Sequence, residues 1–329
     1  MNMRRMRAIV CLLAALIMAS GAPAKENSPV QLSWARVVQG PAEVYRKASA
    51  SKKVLARLGS GALVAVFENK RSGGGNWAKV RVMLPATLEV VAGWTEARRL
   101  EILPVSRFPS DSELLKSLGG VFLEDFQAKY IQFTRFLVRR GNQEPLLVCY
   151  FGSPFLPHTR LQSFAMAGGK WVAGPYLEFP FSQMQTGATE IEVRDLVGDG
   201  DECLITHEPF SEALGTGGVN MLIRRIEAGG FKVLWQAPLE LRSLSAYLPR
   251  QEVLEPPERN IGAPGTITTA KVDFQTNGRV TEPVWKGKIE FYVLGREEPV
   301  DTVNAEKVCN WNGSEFAPVR QATKPSNQH

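Results

Sequence analysis

Between Val37 and Leu103, short apolar runs rich in Val and Leu alternate with Gly, Ser and Asn clusters about every ten residues, which predicts a small all-β unit. In "NWAKVRV" the period of two puts Ala78, Val80 and Val82 on one face, with Trp77, Lys79 and Arg81 on the other. After Pro104 the pattern changes. Ser110 and Glu113 have capping-box spacing, Leu114, Leu115 and Leu118 form an apolar stripe, and Gly119-Gly120 would stop a helix. A two-turn helix is expected there, in a linker over residues 104–120.

Strand patterns return over residues 121–320. "PLLVCYFG" leads to "AGGKW", "CLITHEP" to "AGGF", and "KIEFYVLG" to "VCNWNGSEF". Each run ends in a hairpin signal, Gly or Asn-Gly at the turn and an aromatic leaving it. Three units of one design are plausible, although their spacing along the chain is uneven. The prolines at 249, 256, 257 and 264 exclude a central strand or helix interior from that stretch, which reads as a long loop. The polar tail, residues 321–329, reads as disordered. The class is therefore all-β: a small barrel over residues 32–103, then a larger antiparallel region, propeller-like or built of repeated sheets.

The first residues point to a compartment. "MNMRRMR", the apolar run "AIVCLLAALIMA" and the small residues Ala22 and Ala24 predict a signal peptide over residues 1–24, with cleavage expected after Ala24. The apolar run falls short of the roughly 20 residues a spanning helix needs. A periplasmic or secreted protein is expected, without membrane insertion after cleavage.

The formal charge of +6 falls when Arg4, Arg5 and Arg7 leave with the leader. The remaining Arg pairs are scattered, so no nucleic-acid partner is implied. Cys149, Cys203 and Cys309 all lie in apolar, strand-like runs and read as buried thiols rather than a disulfide framework.

Catalytic patterns fail one by one, so no enzyme is expected. His207-Glu208 opens a zinc-protease motif, but Ser211 stands where the second His belongs. The nucleophile elbow needs two glycines around its serine, and "FGSPF" and "NGSEF" carry one each. "GTGG" at Gly215 to Gly218 lacks the Lys of a phosphate loop. Asp201 and Glu208 stay as unpaired acids, the candidates for an alternative reading as a cell-wall hydrolase or its regulator.

The front unit resembles the bacterial Src-homology-3-like domains of the cell envelope. The likeness rests on Gly40-Pro41, Val44-Tyr45-Arg46, "KVLARLGSGALVAVFE", "GNWAKV" and Gly93-Trp94-Thr95. The resemblance implies a targeting or binding module, with peptidoglycan or an envelope protein as partner. Tyr45, Trp77 and Trp94 are the ligand-binding candidates, since aromatic faces give contact area at little entropic cost. The same rings also suit the core and edges of a small barrel, which is the favoured reading for Trp77 and Trp94, while Tyr45 is open to either.

"VRDLVGDGDECLIT" resembles the Asp-Gly turns of FG-GAP and VCBS repeats, whose acids surround calcium. Asp195, Asp199 and Asp201 would be the ligands. Val197 and Cys203, however, stand where oxygen donors are usual, and calcium wants six to eight hard oxygens. Asp and Gly also make tight turns unaided. The residues favour a structural turn, and no cofactor is expected beyond a possible calcium.

Overall fold

The computed structural model describes residues 31–50, 53–104, 108–118, 131–152, 158–180, 188, 190–211, 217–244, 265–292 and 298–319. The expected signal peptide, the proline-rich stretch before Gly265 and the tail lie outside the described residues. The protein is all-β, with two large antiparallel sheets.

The first sheet begins with β1 (Ser33–Val37), β2 (Ala42–Tyr45), β3 (Val54–Leu58), β4 (Ala62–Ser72), β5 (Gly75–Met83), β6 (Val90–Glu96) and β7 (Leu100–Leu103). Its inner face follows the alternation in the sequence. Ala78, Val80 and Val82 of β5 are buried in one core with Val44 and Val64, and Lys79 and Arg81 point the other way. These strands do not close a ring. At Leu63, β4 pairs with Arg36 of β1 on one side and with Arg135 of β8 (Gln132–Arg140) on the other. The sheet therefore runs on into β9 (Gln143–Gly152), β10 (His158–Ala167) and β11 (Lys170–Pro180). The expected barrel is open because β4 offers Ala62 and Leu63 to the next segment instead of returning to β3 or β7.

The expected helix is α1 (Asp111–Ser117), with the capping box complete. Glu113 N–H donates to Ser110 Oγ at 3.3 Å, and Ser110 N–H donates to Glu113 Oε2 at 2.7 Å. Such a cap stabilises a short helix by about 1 kcal/mol. Leu114 is fully buried in a second core with Phe133, Leu147, Phe151 and Phe164, and Asp111 of its first turn forms an ion pair with Arg135.

The second sheet runs in chain order through β12 (Glu190–Arg194), β13 (Cys203–Ser211), β14 (Gly217–Glu227), β15 (Gly230–Leu244), β16 (Gly265–Asn277), β17 (Val280–Tyr292), β18 (Asp301–Trp311) and β19 (Phe316–Pro318). The three motif runs noted in the sequence fall on the meanders β9-β10-β11, β13-β14-β15 and β17-β18-β19. The last two are neighbours in one continuous sheet, because β15 pairs with β16 from Glu240 to Leu244.

The sheets meet at β12 and the Asp-Gly loop after it. Val193 N–H donates to Ser60 O at 2.8 Å, and Ile191, Val193, Leu204 and Ile226 share a core with the first sheet. Gly61 has φ +81°, and a Cβ there would lie 2.4 Å from Val193 Cβ, so only glycine admits this approach.

Candidate functional site

Antiparallel pairing places Tyr45 opposite Trp94, Trp94 opposite Lys79, and Trp77 opposite Glu96. Opposed residues project to one side of a sheet, so the three aromatic candidates share the outer face, away from the Val44, Ala78 and Val80 core. The structure brings all three together. Tyr45 and Trp77 meet edge to face, 5.8 Å between centroids at 82°. Both are largely covered, at 8 % and 6 % exposure, and Trp94 is half-buried with the Lys79 ammonium 6.0 Å from its ring.

Their polar tips are engaged. Trp77 Nε1 donates to Ser72 O at 3.1 Å, which ties the ring to the β4–β5 turn. The Tyr45 hydroxyl donates to the Glu43 carboxylate. That bond, reinforced by Arg57, holds Glu43 below the usual carboxylate range and pushes the Tyr45 hydroxyl up.

Two depressions flank this cluster. The larger, about 810 Å³, lies between the 48–50 loop and the 72–76 turn, with Trp77, Glu96 and Arg98 also lining it. The smaller, about 320 Å³, is lined by Glu43, Tyr45, Thr95, Arg99 and the same Glu96 and Arg98. Arg98 lies 2.9 Å from Glu96 and three-quarters exposed. The turn itself is open: nothing stands within 4 Å of a Cβ placed on Gly73 or Gly74. Together these groups offer an aromatic edge, glycine backbone and one paired charge of each sign.

The Asp-Gly loop is engaged differently. Asp195 Oδ1 and Oδ2 accept the N–H groups of Gly198 and Gly200 at 2.7 and 3.0 Å. Asp199 Oδ1 accepts the Asp201 N–H, and its Oδ2 lies 3.0 Å from Arg225. Among the described residues no three His, Cys, Asp or Glu side chains are grouped to hold a metal ion. Leu196 and Cys203 are buried in the core of the second sheet, with Val197 packed against it. The Asp195 and Asp199 oxygens are thus turned to the loop's own backbone and to Arg225.

The hydrolase candidates are held in structural contacts as well. Glu208 forms an ion pair with Arg224, both nearly buried. Asp201 bridges Arg140 of the β8–β9 hairpin through its backbone. His207 Nδ1 lies 3.2 Å from Glu190, whose carboxyl is held low by that hydrogen bond.

Sequence reasoning missed Arg36 and its pairing with Glu202. Arg36 sits in the apolar strand "SWARV", and Glu202 is the acid displaced by one place from the calcium pattern. A lone charge in such a strand signals a buried partner. No pattern says which.

Comparison with known proteins found no matching family model, no matching curated protein and no matching solved structure.

Proposed function

We propose that the protein is an exported, non-enzymatic binding protein of the cell envelope, and that it engages peptidoglycan through the outer face of β2, β5 and β6. The observation that carries this reading is the 810 Å³ groove beside Trp77, joined at Glu96 and Arg98 to the pit that holds Tyr45. Glycan strands present hydroxyls and amides, and their peptides present backbone amides and both signs of charge. The glycine-rich turn and the Glu96–Arg98 pair are matched to such groups. Export rests on the leader-like first 24 residues, and binding at the envelope on the resemblance of the front unit.

A protein partner presenting an extended strand would meet the same groove. The hydrolase alternative is not adopted, because Glu208 is neutralised by Arg224 and Asp201 lies in the junction between sheets.

The test is cosedimentation of the chain from Lys25 onward with purified, insoluble peptidoglycan. Saturable retention supports the reading. A protein that stays wholly in the supernatant removes peptidoglycan as ligand and leaves the protein partner to be sought by crosslinking from Ala50.

A further inference from the structure

A sheet edge left open is a template for another strand, and natural proteins blunt such edges with short strands, prolines or bulges. Most edges here follow that rule among the described residues. Strands β3, β7 and β12 have four or five residues, and β11 carries a register shift at its Gly174-Pro175 stretch. Strand β18 does not. It pairs with β17 from Asp301 to Val308, and its other edge is used only from Val308 on, by Val319 N–H to Val308 O and by β19. Seven residues, Asp301 to Lys307, have no strand beside them among the described residues, and none is proline or glycine.

We infer that this edge pairs with the same edge of a second copy of the chain. The two-fold axis of such a dimer is perpendicular to the sheet and keeps every side chain on its own face. Opposed residues must then have the same parity, which excludes every odd register. Of those left, the one centred on Asn304 uses the whole open run. It sets Asp301 opposite Lys307 twice, Val303 opposite Ala305 and Thr302 opposite Glu306. Opposite charges thus meet at both ends of the run. Moving the centre to Val303 sets Asp301 opposite Ala305 and Lys307 opposite Pro299, so neither charge meets its opposite. Moving it to Ala305 drives Asp301 into the place held by β19.

Exposure supports the same arrangement. Val300, Val303 and Val319 are 40 %, 40 % and 44 % exposed, and all three border this edge. In the Asn304 register the ladder ends with Asp301 opposite Lys307, because Val319 holds the place opposite Val308, and Val300 of one copy comes up beside Val319 of the other. Lys307 is already drawn toward the strand face, 5.3 Å from the Trp285 ring, and Asp301 is exposed. Pairing would join two eight-stranded sheets into one.

Sedimentation equilibrium over a dilution series, on the chain from Lys25 onward, tests this. The wild type is expected to dimerise. Asp301→Lys, which faces two lysines with two others, weakens association by about tenfold or more. The double variant D301K/K307D reverses both charges and restores it. A wild type monomeric throughout overturns the inference, whether the edge then takes a strand of another protein or stays bare. So does a D301K protein that associates as the wild type does.

Discussion

Arg36 on the first strand and Glu202 in the Asp-Gly loop form an ion pair at 2.6 Å across 166 residues, with 5 % and 12 % of their side chains exposed. Arg36 Nε also donates to Leu137 O at 3.3 Å, and Glu202 Oε2 also accepts the Arg139 N–H at 2.7 Å. The loop that looks like a calcium site is thus a clamp between sheets. A buried pair broken on one side costs about 3–5 kcal/mol, because the charge left behind has no water. Glu202→Ala should lower unfolding free energy in urea by about 3 kcal/mol, and R36M/E202L should regain part of it. A loss below about 1 kcal/mol would mean that the pair behaves as an exposed one.

Gly61 and Gly73 both have positive φ, but only Gly61 faces a wall, the Val193 side chain. Gly61→Ala should cost about 3 kcal/mol or more, since the sheets must part as well as the backbone strain. Gly73→Ala meets open space and should cost only about 1–2 kcal/mol. Equal losses in thermal denaturation would contradict the contact between sheets.

Glu190 has a lowered pKa, chiefly through the hydrogen bond from His207, against an opposing push from burial. A depressed folded-state value means the stabilisation is present above the ordinary carboxylate value of 4.5 and is lost as pH falls through the lower, folded one. Stability measured from pH 6 downward should fall less steeply below about pH 4.5 in Glu190→Gln than in the wild type. Parallel curves would remove Glu190 from the acid limb.

The cysteines at 149, 203 and 309 are free and buried. Burial pushes the Cys149 thiol up to about 12 and Cys203 to about 11, so neither is a thiolate at neutral pH. Thiol reagents should leave the native protein from Lys25 onward essentially unlabelled and should modify all three positions in urea. Fast labelling of the native protein would show that the strands around them open readily.

What could be read from the sequence was local. The period-two faces of "NWAKVRV", the Ser110–Glu113 cap and the glycine hairpins at 168–169 and 229–230 each depend on neighbours a few residues apart. The open edge of the expected barrel depends on Leu63 meeting Arg135, and the clamp on Arg36 meeting Glu202, pairings that no period encodes. The site was half legible. Tyr45, Trp77 and Trp94 do lie together on one face, yet the groove beside them is made by the 48–50 and 72–76 turns, whose Ser, Ala and Gly carry no chemical signature.

The central claim, that this groove holds the ligand, is tested most directly by peptidoglycan cosedimentation of three proteins from Lys25 onward: wild type, Arg98→Glu and Ala50→Trp. Arg98 and Ala50 are exposed, so neither change should disturb folding, which circular dichroism would check. The wild type should be retained saturably, and each variant should bind at least about tenfold more weakly, a loss of roughly 1.4 kcal/mol. Variants retained as tightly as the wild type would place the ligand elsewhere, and a wild type that is not retained would contradict the claim outright.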